Sequence, residues 1–236
     1  STSVSPRLVA RLGAGHFLAV IRAVAERLSP DLTTIITFLT ILYGNLDHYQ
    51  DDWKETHPFA SLAMAVPDSL RKPVTITWVA AEAGLPFETV RRRIRRLEDR
   101  GICRQVKGGF IVARTEMESA VWRGILLRIH AANLDLVDTA VGLGVMPREP
   151  LPSAEDQTRE GARRSGRYLL STFKILRGLT EDPMQGLIMR AVSYANTAHL
   201  TSLREAGRMY VQPQDAPPDS HRIPVTVYAL ARTLLT

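Results

Sequence analysis

The sequence predicts a mainly α chain with a small β element, assembled as a tandem duplication of one helical plan whose second copy is truncated. Three observations carry this. A shift of 151 residues, without a gap, superposes Ala65-x-Pro67-Asp68-Ser69-x-Arg71-x-Pro73-Val74-Thr75 on Ala216, Pro218, Asp219, Ser220, Arg222, Pro224, Val225 and Thr226. The same shift matches Gly15 to Gly166, Leu18 to Leu169, Leu28 to Leu179, Asp31 to Asp182, Tyr43 to Tyr194, Asn45 to Asn196, His48 to His199 and Ala80 to Ala231. Most of the remaining chain shows apolar residues at helical spacing.

The elements follow in order. Residues 7–28 and 167–179 have the spacing of a first helix in each copy. A second helix begins at Asp31 and again at Asp182, where Pro183 follows an N-cap acceptor. The first of these, LTTIITFLTILYGNLDHY, is apolar on nearly every side, which suits a helix buried between others or in a subunit interface. Val74-Thr75-Ile76 is β-prone, and WVAAEAG (78–84) is a short helix ended by Gly84. Leu85-Pro86 leads into a helix whose apolar stripe is Val90, Ile94 and Leu97 and whose end is Gly101. ICRQV and FIVA then flank Lys107-Gly108-Gly109, a hairpin signal. Residues 118–143 read as an amphipathic helix. The organisation expected is a first repeat over 1–145, a linker over 146–158 rich in proline and polar residues, and a second repeat over 159–236. The second copy reaches Thr236 level with Leu85 of the first, so the counterpart of the arginine-rich helix is expected beyond it.

The order strand, helix, tight turn, helix, hairpin is that of a winged helix-turn-helix. Ala80 is small where the two helices cross, and Gly84 occupies the turn. The spacing T-V-R-R-x-x-R-R-L-E-x-x-G (89–101) resembles the recognition helices of bacterial transcription regulators of the GntR and MarR kind. The resemblance covers about residues 71–113. Arg93 stands where the GntR pattern commonly has a small residue, so the helix packing is expected to differ there.

Charge agrees with that resemblance. The net charge is +6, with 45% hydrophobic and 23% charged residues. Between Arg91 and Lys107 eight cations face only Glu98 and Asp99, so this window alone carries the net charge of the whole chain. A local patch of that density suits a polyanionic partner. A recognition helix enters the major groove by its N-terminal part, which places Phe87, Glu88, Thr89, Arg91 and Arg92 toward base edges. Arg95, Arg96 and Arg100 lie further along and are expected at phosphates, and Lys107 at the tip of the wing. The plainer reading of the same stretch is a solvated helix with Glu88–Arg92 and Arg95–Asp99 pairs.

Other candidates are weaker. Tyr43, Asn45 and His48, with Tyr194, Asn196 and His199, would line an effector pocket or hydrogen-bond across an internal interface; the second is favoured because buried polar groups need partners. Asp47, His48, Asp51, Asp52 and His57 form a loose acidic cluster, but no motif fixes a metal geometry, and no metal or cofactor is expected. The single cysteine, Cys103, excludes an intrachain disulfide and reads as a small strand residue. No nucleotide-binding or hydrolase motif is present, so an enzyme is the least favoured class. No apolar run is expected to reach the roughly 20 residues of a bilayer span, and a reducing, nucleoid-associated location is expected. The expected partner is double-stranded DNA, with a homodimer compatible. The first functional expectation is a sequence-specific transcription regulator; a replication initiator or chromosome-organising protein, and a helical assembly scaffold, are the alternatives.

Overall fold

The computed structural model describes residues 6–29, 31–49, 58–148, 154–180, 182–202 and 217–226. The described residues are mainly helical with one two-stranded antiparallel sheet. Helix α1 spans Pro6–Leu28 and α2 spans Leu32–Leu46; α3 spans Ile76–Ala83 and α4 Phe87–Asp99. Strands β1 (Cys103–Val106) and β2 (Gly109–Val112) form the hairpin. Helices α5 (Arg114–Met117), α6 (Ala120–Gly142), α7 (Ala154–Leu179), α8 (Pro183–Thr197) and α9 (His199–Ser202) follow.

Helix α2 is central. Twelve of its fifteen residues are buried, as its all-round apolar character requires. Its two interior hydroxyls are satisfied locally: Thr37 donates to the Thr33 carbonyl at 2.7 Å and Thr40 to that of Ile36 at 2.8 Å. The Asp31 carboxylate caps the helix by accepting from the Thr33 amide. Asp182 caps α8 in the same way, accepting from Met184, with Pro183 at the first position. Against α2 pack α1, α3, α4, α7 and β2. The shared core includes Phe17, Leu28, Phe38, Ile94, Leu97, Ile125 and Leu169, and the Phe38 and Trp122 rings stack at 5.0 Å.

Three sequence expectations need correction. Helix α7 begins at Ala154, so the end of the expected linker is helical; Thr158 and Arg159 are buried there, and Arg159 donates to the Met117 carbonyl at 3.1 Å. Ile76 belongs to α3, because the Thr75 hydroxyl accepts from the Trp78 amide and caps a helix that starts two residues after Val74. The β character of that run is confined to a single bridge between Val74 and Phe110. Helix α1 is also long and apolar enough, by length and composition, to cross a membrane, which the sequence reading did not expect; half of its most apolar stretch is buried in this structure.

Candidate nucleic-acid interface

The site is built from the α3–α4 turn and the hairpin. Gly84 takes the left-handed conformation at φ 61°, and the Leu85 amide returns to the Ala80 carbonyl while the Gly84 amide returns to that of Ala81. This closes α3 and redirects the chain into α4. Val90, Ile94 and Leu97 are buried, as their spacing demands, and fix which face of α4 looks outward. Gly101 (φ 68°) then releases the chain into β1.

The hairpin pairs Val106 with Gly109, leaving Lys107-Gly108 as its tip. A side chain at Gly109 would lie 2.2 Å from the Val74 carbonyl oxygen, so glycine is what lets the wing close on Val74. Asn45 on α2 locks this arrangement. Its amide donates to the carbonyls of Lys72 (2.7 Å) and Phe110 (3.1 Å), and its Oδ1 accepts from the Val112 amide at 2.9 Å. Asp68 holds the outer edge, accepting from the Arg114 amide at 2.8 Å and from Arg104 at 2.7 Å.

The arginines divide into two sets. Arg93 turns inward to Asp31 (3.0 Å) and the Thr33 hydroxyl, tying α4 to the start of α2. That gives the large residue at this position a physical account: it packs as an ion pair where the resembling pattern has a small side chain. Arg100 donates to the carbonyls of Leu28 (2.8 Å) and Arg27, capping the end of α1. Arg104 is held by Asp68. By contrast Arg92, Arg95, Arg96 and Lys107 are exposed, and none of them makes a hydrogen bond or ion pair among the described residues. Phe87 is exposed at the start of α4, and Thr89 is half-buried. Arg91 pairs with Glu88 at 2.6 Å. The expected Glu88–Arg92 pair is therefore replaced by Glu88–Arg91, one residue nearer on the helix surface.

Of the other candidates, Tyr43 on α2 reaches α7 and Tyr194 on α8 packs on α1, while Asn45, His48, Asn196 and His199 make contacts nearer in the chain. The Tyr43 hydroxyl donates to the Arg163 carbonyl, and burial pushes its pKa above the ordinary phenol value. A side chain at Gly166 would lie 2.4 Å from that hydroxyl, and one at Gly15 would lie 2.8 Å from the ring of Tyr194. The His48 ring lies 4.1 Å from that of Tyr49, tilted by 40°. The Asn196 carbonyl accepts from the Ile223 amide at 3.3 Å, and a His199 ring nitrogen lies 3.0 Å from the His221 carbonyl. Of the acidic cluster, Asp51, Asp52 and His57 lie outside the described residues. Among the described residues no three His, Cys, Asp or Glu side chains converge. Cys103 is buried, and burial, with Glu98 second, pushes its thiol up to about 12.

Sequence reasoning missed the inward-facing groups. Glu116 is buried, chelated by Arg27 and accepting from the Trp122 indole at 2.7 Å. Arg71 is buried with its Nε on the Val66 carbonyl at 3.2 Å. Recurrence of the Pro-Asp-Ser-x-Arg block was the one available signal: Arg222 repeats that bond to the Pro217 carbonyl at 3.0 Å. No family model matches the chain, and no curated protein or solved structure does either.

Proposed function

We propose that the chain is a double-stranded DNA-binding protein that reads the major groove with α4 and touches the backbone with the Lys107 wing. Within that class, the reading we favour is a transcription regulator of the winged helix-turn-helix kind. The observation that carries it is the division of the cations: Arg93, Arg100 and Arg104 are consumed by the fold, whereas Arg92, Arg95, Arg96 and Lys107 are left exposed with no partner among the described residues. Pairing along the surface of α4 is confined to Glu88–Arg91 among the described residues, which leaves the remaining exposed cations available to a polyanion. Arg92, near the start of α4, suits bidentate contact with guanine, and Arg95 and Arg96 suit phosphates.

The proposal includes a tandem duplication. Supporting it are the reciprocal Tyr43–Gly166 and Tyr194–Gly15 contacts, which exchange under the 151-residue shift. Such exchange is the signature of an isologous, two-fold interface. The amide of Lys72 on the Asn45 carbonyl (3.0 Å) likewise corresponds to Ile223 on Asn196. The expected start of a second recognition unit, 227–236, lies outside the described residues.

The test is equilibrium binding to duplex DNA across a salt series. Arg92→Ala and Arg95→Ala should each weaken binding, and loss of a phosphate contact should reduce the salt slope by about 1. Binding with unchanged affinity and slope in the double variant would remove the proposal.

A further inference from the structure

The second half of the molecule presents an apolar face that the first half keeps covered. On α7 and α8, Ile175 is 66% exposed, Leu179 68%, Met189 52%, Ile188 40% and Met184 37%. Under the 151-residue shift these are Val24, Leu28, Phe38, Thr37 and Thr33. Val24, Leu28, Phe38 and Thr37 are buried, at 2% exposure or less. What covers this side of the first half is the chain's own 74–129 module. Trp122 stacks on Phe38, Arg93 donates to the Thr33 hydroxyl at 3.0 Å, and Arg100 donates to the Leu28 carbonyl.

A second observation is independent of apolar exposure. Asn196 corresponds to Asn45, whose Oδ1 accepts the Val112 amide of the wing. The Asn196 Oδ1 is shut off from solvent and has no hydrogen-bond partner among the described residues. A buried acceptor left unpaired is costly, of the order of 1–3 kcal/mol, and native structures rarely keep one without a role.

We infer that the α7–α8 face is a docking surface for a second helix–turn–helix–hairpin module, built as residues 74–129 are. The occupant brings a helix with an apolar stripe at i, i+4, i+7 onto Ile188 and Met189. It brings an aromatic or aliphatic anchor from a following helix onto Met189, as Trp122 stacks on Phe38, and a strand amide to Asn196 Oδ1. Five apolar side chains on two adjacent helices exceed the scattered exposure of an ordinary surface. By the correspondence with Asn45, the enclosed Asn196 Oδ1 would be matched by a backbone N–H from a strand, which a lipid surface or a small apolar ligand does not supply. The inference rests on the duplicated plan proposed above.

The test titrates the full chain with a synthetic polypeptide of residues 74–129, whose helices and hairpin are first verified by circular dichroism and amide exchange, followed by calorimetry. Saturable one-to-one binding is expected, weakened at least about tenfold by Leu179→Glu or Ile188→Glu. Both positions are exposed, so the variants should keep the wild-type circular dichroism and melting profile. Absence of binding, or binding indifferent to both substitutions, overturns the inference. So does a chain that dimerises by itself through this face, with the dimer lost in Leu179→Glu, because the occupant would then be a second copy. DNA binding by α4, measured on the same preparations, should be unchanged in both variants, which keeps failure of docking separate from failure of the DNA reading. Gly15→Leu and Gly166→Leu, which strike the internal interface, report on the duplicated plan independently.

Discussion

At the scale of single residues, Asn45 illustrates how one side chain assembles a site it does not belong to. Three backbone groups from two segments meet on it, and its bonds to Phe110 and Val112 are buried. Asn45→Ala strands the buried Val112 amide, while Phe110 keeps the Val74 amide, and should cost about 1–3 kcal/mol in chemical denaturation. His16 makes a pH prediction. Burial holds its pKa below the ordinary value of 6.5, and one ring nitrogen lies 3.2 Å from the Ser165 hydroxyl. The folded state therefore prefers the neutral ring. The stability this contributes is complete above the unfolded value and is lost as pH falls below it toward the folded value. Unfolding free energy should decline on acidification from about pH 7 to 5, and His16→Gln should flatten that decline. Cys103, buried with its thiol pushed up to about 12, should resist a thiol-specific reagent in the folded chain at pH 7 and react after unfolding.

Among the elements, α4 was legible because its stripe of Val90, Ile94 and Leu97 and its terminating Gly101 are local signals. The Gly84 turn and the Lys107-Gly108 tip were legible for the same reason: glycine marks positive φ. The roles of individual arginines were not. Whether an arginine faces solvent or a neighbouring helix depends on Asp31 and on the Leu28 carbonyl, which are distant in sequence and near only after folding. The start of α7 was hidden similarly, because its polar first turns are held by Ala60 and Met117 and not by an apolar stripe. Two substitutions separate these roles. Arg93→Ala should lower stability through loss of the Asp31 pair yet leave the salt slope of DNA binding nearly unchanged. Gly109→Ala, at φ 147° and against the Val74 carbonyl, should break the wing bridge, destabilise by roughly 2 kcal/mol or more, and weaken DNA binding.

On the whole-molecule scale, the proposed duplication, which the reciprocal tyrosine–glycine contacts support, would arrange one chain as a conventional two-fold dimer is arranged. A dimeric reader spans half-sites about 34 Å apart along the duplex, and a single chain with this internal symmetry would achieve that spacing with two recognition helices. The described residues hold one such helix, α4, and the site predicted for it is a half-site. The central claim is tested most directly by incubating the chain with a random-sequence duplex pool at two salt concentrations and sequencing what is retained. The account predicts an enriched half-site motif containing guanine, with retention falling steeply as salt rises. Retention of no sequence over any other, with no dependence on salt, would contradict it and leave the exposed arginines of α4 as a solvated surface.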